Sequence, residues 1–456
     1  EITCRDWSSD VCSSDLSYDA ASHLTTIATS TGNYSFTYDA GGRRTKLSYP
    51  SNTSTSYQYD KNNNLTNIKQ TSATNSTIAD TPYSYDTVNN RITKQAITYN
   101  YDPLYQLISA NGATPESYSY DALGNRQGSY QHNAANQTLS SPQGNYSYDT
   151  NGNQTSRGTW TQTWNSDNQL ITTTNGTVTV TFKYDPFGRR IEKTTIDPGG
   201  STTYRYLYDG PAIIQETRTT ATATETTNYL HGPNIDEPLG MERNGQNYYF
   251  HQDGLGSIIA ITDANGQKVQ SYSYDSFGNI TAQQNTTFIQ PFAYTARIWD
   301  AEIGLYDYRL RTYDPVLGKF ISKDPLSFAA GDVNLYRYVG NGSTNYTDPW
   351  GLMPMIAAPL YYAGAKILAI GTAYFGIKTA TNAMSASGLA TKNQACQAQS
   401  AANSAMKNVV GINVAGAPLA MGPGLATYYG PSMYTAGIVA AGTPAEIGRA
   451  AGRERV

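Results

Sequence analysis

The sequence predicts a mainly β fold, built of hairpins that stack on one another, followed by a mostly α-helical C-terminal tail. Three observations predict the β part. Tyrosine dominates the aromatics, with 38 Tyr against 10 Phe and 5 Trp, and Tyr and Thr favour half-wet pleated surfaces, while Asn and Gly supply turns. Tyr-Asp dipeptides recur twelve times, from Tyr18 to Tyr313, at a spacing that scatters around roughly 20 residues, a repeat-array period. The dipeptide commonly opens an Asp-x-x-Gly unit, as in YSYDALGNR at 118–126. A net charge of −4 over 456 residues excludes a basic nucleic-acid binder.

The two ends read as foreign. One reverse translation of Glu446–Ala450 has a reverse complement that encodes Cys12–Leu16, the signature of a sequencing adapter ligated at both ends. Residues 1–16 and 446–456 are therefore set apart from the fold, both ends are read as truncated, and the lack of a signal peptide carries no information. Cys4 and Cys12 leave the argument with them. Cys396 is a lone thiol with no base partner in its neighbourhood, so it is not read as a nucleophile.

Residues 17–230 carry the repeats. In YSYDALGNR, Tyr118 and Tyr120 share one strand face while Ser119 takes the other. Asp121 accepts a backbone N–H two residues on, Gly124 takes the positive φ that closes the turn, and Asn125 and Arg126 begin the return strand. The same shape recurs at 38–44, 148–154, 184–190 and 274–280, and WNSDNQL at 164–170 is a degenerate copy. A single hairpin cannot bury its face alone, so each must stack on its neighbours. DTNGN at 149–153 resembles the start of a calcium loop but lacks the glycine at the sixth position and the distal Glu, so turn chemistry is the better reading. No metal or cofactor is expected. His23, His132, His231 and His251 have no ligand spacing to one another.

Residues 231–352 change character. YLHGPNIDEPLG leads into HQDGLGS at 251–257, and a denser segment follows from Phe292 to Leu352. Tyr-Asp-x-x-Gly repeats followed by HQDGLGS, EIGLYDYRLRTYDPVLGKFISKDP at 302–325 and NLYRYVGN…DPWGL ending at Leu352 resemble the RHS/YD-repeat proteins and their associated core. The resemblance implies a β-sheet strip spiralling into a hollow shell, as in bacterial polymorphic toxins and the C subunits of insecticidal toxin complexes. It also implies a C-terminal toxin carried as cargo and severed by aspartyl autoproteolysis.

Carried over residue by residue, the resemblance implies that Asp324 and Asp348 form the catalytic pair, that Arg311 assists them, and that the cut falls between Leu352 and Met353. Two close carboxylates cannot both ionise, so one serves as acid while the other activates water. Thr312 and Lys319 stand where the family commonly has Tyr and Arg, and neither removes a proposed catalytic group. Asp314 is the main competitor for a place in the pair, with Asp300, Glu302 and Asp307 close by. The bland alternative is that both Asp-Pro units are turn formers. His251 matches a motif of the family core and is read as structural.

Residues 353–445 contain no Asp, Glu, His or Arg, so they lack the groups that most hydrolytic toxins use for acid–base work or metal binding. Residues 356–377 are long and apolar enough to span a bilayer as a helix, with Pro359 and Lys366 against it. This tail reads as a membrane-active segment, as a linker to a missing effector, or as a helix packed inside the shell. The implied partners are the chain's own tail as cargo, a secretion-system or toxin-complex component, a cognate immunity protein and, through the tail, a membrane. The implied location is secreted or exposed at a bacterial surface. A rival reading is a surface or wall-associated adhesion protein that binds carbohydrate through exposed tyrosines and never cuts itself. A β-propeller fits less well, because the repeats lack a four-strand period.

Overall fold

The computed structural model describes residues 16–352 together with the pair Met355–Ile356. Two antiparallel meanders account for most of it. The first has eleven strands, from Leu16–Tyr18 to Glu116–Ser117, and the second sixteen, from Gln131–His132 to Ile280–Gln283. In both, each strand pairs with its neighbour in sequence. YSYDALGNR lies at the junction between them, where Tyr120 and Arg126 form an isolated antiparallel bridge.

The turn chemistry explains the repeat. Asp121 Oδ1 accepts the amides of Leu123 at 2.9 Å and Asn125 at 2.8 Å, and Gly124 takes φ +73°. The same brace recurs at Asp39, Asp60, Asp86, Asp102, Asp185 and Asp275. Asp149, from the calcium-like stretch, is engaged in the same way by Asn153. The register slips by one residue just before the tyrosine, as at Gln58/Tyr59 and Lys183/Tyr184, a β-bulge that turns the phenol toward the preceding hairpin.

That phenol has a fixed partner. Tyr38, Tyr59, Tyr85, Tyr184 and Tyr274 donate to the carbonyls of Leu24, Arg44, Leu65, Leu170 and Ile258, at 2.7–2.9 Å. Each acceptor lies five residues after the previous turn aspartate, or after Asn165 in the degenerate copy. The ladder needs a rigid aromatic with a donor at its tip, which is why tyrosine so outnumbers phenylalanine. Trp164 supplies its indole N–H to Gln154 O at 2.6 Å, and His132 and His231 place Nε2 2.8 and 2.7 Å from Arg126 O and Ile213 O. The degenerate repeat and two of the four histidines are thus rungs of one ladder.

After Gln283 the pattern ends. A four-stranded sheet, Ile298–Asp300, Leu305–Tyr308, Arg311–Asp314 and Lys319–Phe320, packs on the apolar face of the second meander, Ile303, Leu305 and Ile321 meeting Leu170, Val180 and Phe182. The Tyr-Asp pairs at 306 and 313 belong to this sheet rather than to the meander, and both tyrosines are fully buried. The first meander docks on the second through Tyr34, Tyr49 and Tyr249. The one stretch of tail described, Met355–Ile356, is extended and pairs with Tyr346–Thr347, so the chain is a strand and not a helix there. The rest of the expected helical tail, including 357–377, and Cys4, Cys12 and Cys396 lie outside the described residues. Among the described residues no helix is long and apolar enough to cross a membrane.

Candidate functional site

Arg311 begins the third strand of the small sheet, Asp324 opens the turn after the fourth, and Asp348 sits in the final Asp-Pro turn. The fold brings all three together. Arg311 Nη2 lies 3.0 Å from Asp324 Oδ2 and 3.1 Å from Asp348 Oδ2, and all three side chains are buried. The guanidinium stacks on Phe320, 3.6 Å from the ring centroid, which fixes its plane.

The segment leading to the expected cut is wrapped around this group. Arg311 Nε donates to Gly351 O at 2.5 Å, and the Leu352 amide donates to Asp348 Oδ1 at 2.9 Å. Gly351 takes φ +65° where an added Cβ would press within 2.7 Å of Tyr308 O, so only glycine fits this approach. Leu352 is buried, and Met353 lies outside the described residues.

The two carboxylates are held differently. Burial pushes Asp324 up to about 6, with Asp348 adding to the rise and Arg311 opposing it. Asp348 is gripped by Arg311 on one oxygen and by the Leu352 amide on the other, both of which favour its charged form. Asp324 therefore holds its proton to a higher pH than an exposed aspartate does.

The competitors are engaged elsewhere. Asp314 pairs with Arg157 at 3.1 Å, Asp300 with Arg190 and Lys193, Glu302 with Lys193, and Asp307 with Arg190. Thr312 is buried in the same strand as Arg311. Lys319 is buried with its ammonium on Asn125 Oδ1 and Asn136 O at 2.7 and 3.2 Å, and burial depresses it to about 7. His251 is buried against Tyr49 and near Thr262 Oγ1, and burial lowers it to about 3, so it stays neutral. His23 pairs with Asp19 at a turn.

Sequence reasoning missed Asp236 and Arg309. Arg309 contacts the Pro349 carbonyl, next to Asp348, and is paired with Asp236. The signal was Arg-x-Arg at 309–311, two cations on one hairpin of which only Arg311 was given a role.

The sequence matches the teneurin YD-shell family over residues 83–343 and the RHS repeat over 18–54. It is 30% identical over 363 residues to the tRNA3(Ser)-specific nuclease WapA of Bacillus spizizenii, which covers 74% of this chain and 15% of that protein. It is 28% identical over 330 residues to the double-stranded DNA deaminase toxin A of Burkholderia cenocepacia, covering 61% and 23%. The fold resembles the Photorhabdus luminescens Tc holotoxin pore, with a TM-score of 0.62 at 22% identity over 75% of this chain and 21% of that one. The chain thus spans under a quarter of the length of these relatives.

Proposed function

Because the chain belongs to the YD-shell family of RHS/YD-repeat proteins, we propose that it is part of a polymorphic toxin shell that cuts its own chain after Leu352. Asp324 acts as the proton donor to the scissile amide, and Asp348 as the carboxylate that activates water. Arg311 orients both acids and holds Gly351 O, so the bond presented to them does not drift. One hydrolysis per chain is the reaction, with no outside substrate.

The observation that carries this reading is that Arg311 joins Asp324 and Asp348 beside the peptide just before the expected cut, with Arg311 on Gly351 O and Asp348 on the Leu352 amide. Each aspartate also braces its own turn, Asp324 at the Leu326 amide and Asp348 at the Leu352 amide, and the buried Arg311 is what joins the two turns. The meanders then serve as the wall of a spiralling shell, and whatever follows Leu352 is cargo. The relatives carry nuclease and deaminase names, which fits a shell that ferries different effectors. Secretion or surface display, a toxin-complex or secretion-system partner and an immunity protein belong to the same proposal, as does membrane contact by the tail.

Intact mass of residues 17–445, with and without Asp348→Asn, tests it. The expected result is a parent fragment ending at Leu352 and an uncut variant. Two uncut chains, each with a folded β-sheet circular dichroism spectrum, overturn the cut and favour a surface adhesion scaffold.

A further inference from the structure

Two arginines on one hairpin hold alternate carbonyls of the terminal turn. Arg311 takes Gly351 O, as described, while Arg309 Nη1 donates to Pro349 O and its guanidinium lies 4.9 Å from the Trp350 ring centroid. Arg309 is itself clamped. Its Nη2 and Nη1 reach Asp236 Oδ1 and Oδ2 at 2.6 and 3.1 Å, a bidentate fork that fixes the guanidinium plane. Arg297 Nη1 reaches the same Oδ1 at 2.7 Å, but its remaining donors go to Asp307 O, away from the turn. Both clamp residues take left-handed backbone, Asp236 at φ 55° and Arg309 at φ 64°, which costs free energy at non-glycine residues unless the surroundings hold them there.

Asp236 comes from the loop before Pro238–Arg243 in the second meander, and its neighbour Glu237 pairs with Arg44 of the first. One dipeptide therefore ties the terminal turn to the docking of the two meanders. We infer that Arg309, oriented by Asp236, is a positioning residue for the self-cleavage: it fixes the Pro349 carbonyl and so sets Asp348 against the Leu352 peptide. The inference rests on the cleavage reading above.

The shared carboxylate supplies an internal control. Arg309→Met leaves Asp236 paired with Arg297, so no buried charge is stranded, but the turn loses its donor. Arg297→Met leaves Asp236 paired with Arg309 and the turn contact intact. Cleavage in residues 17–445 is followed by intact mass over time after refolding, beside the parent and Asp348→Asn, with melting temperature and a pH–rate profile for each. A misplacement near 1 Å can cost about 100-fold in rate, so Arg309→Met is expected to slow cleavage by about that factor with the pH midpoint unchanged. Arg297→Met is expected to cut within about threefold of the parent, because its donors go to Asp236 and Asp307 O and not to the terminal turn. Equal slowing in both, or a loss that tracks the folded fraction, makes the clamp merely structural and overturns the inference. A parental rate in Arg309→Met also overturns it while leaving the cleavage reading standing. A parent that never cuts removes both.

Discussion

The meanders and the terminal core solve the same problem, polar groups inside a β-structure, in opposite ways. In the meander turns the polar contacts are local and repeated: a turn Asp serves its own loop, and a phenol reaches one hairpin back. Strand burial alternates, as in Gly32–Tyr38, because one face is wet. In the core, Leu305–Tyr308 and Arg311–Asp314 are buried at every position, and their charges pair across the sequence, Asp300 with Arg190 and Asp314 with Arg157. A repeat that satisfies itself can be lost or added without stranding a distant partner. A core whose charges depend on the wall cannot.

Neighbouring arginines make the sharpest test. Arg189 and Arg190 are adjacent, yet Arg189 pairs with Asp185 of its own turn, half-exposed, and Arg190 runs inward to Asp300 and Asp307. Arg190→Ala takes the ion-pair partner from buried Asp307 and leaves Asp300 to Lys193, and is expected to cost about 3–5 kcal/mol. Arg189→Ala removes a local surface pair and is expected to cost about 0–1 kcal/mol. Urea unfolding of both variants in the uncut Asp348→Asn background measures the difference; similar costs would break the distinction between self-contained turn and dependent core.

The next effect is kinetic and belongs to the core alone. Asp324 is held up at about 6, so if it donates the proton, the competent acid form is full below that pH and is lost as pH rises through it. The cleavage rate is then expected to fall roughly fiftyfold between pH 6 and pH 8. Refolding into buffers across that range, followed by intact mass, reads the slope. A flat profile would mean that Asp324 is not the donor.

The same contrast decides what could be read from sequence. Hairpin, turn and repeat were legible because they are local: Asp121, Gly124 and Tyr120 lie within one short stretch, and their spacing is their mechanism. The phenol ladder was hidden, since its acceptor is a backbone carbonyl that no residue type marks; Trp164, His132 and His231 pass unnoticed for the same reason. Asp324, Asp348 and Arg311 were named through a family resemblance, not through any spacing that forces them together. Asp236 had no such label and stayed invisible, because only the packed structure brings it to Arg309.

The smallest expected effect compares two phenols with the same kind of acceptor. Tyr59 donates to Arg44 O in a part-buried rung, and Tyr313 to Phe277 O in the closed core, at 2.9 and 2.8 Å. The Tyr59 rung is part-buried, so in Tyr59→Phe water is expected to take the place of the hydroxyl, at a net cost of about 0.5–1 kcal/mol. In Tyr313→Phe no water replaces it and the acceptor keeps its full desolvation penalty, about 1–3 kcal/mol. Paired urea midpoints in the uncut background resolve the two, and amide exchange locates them: the first should loosen one hairpin, the second the whole four-stranded sheet. If Tyr59→Phe instead loosened every hairpin of the first meander, the ladder would be cooperative along its length, and the repeats would not be the independent units that their local bonding implies.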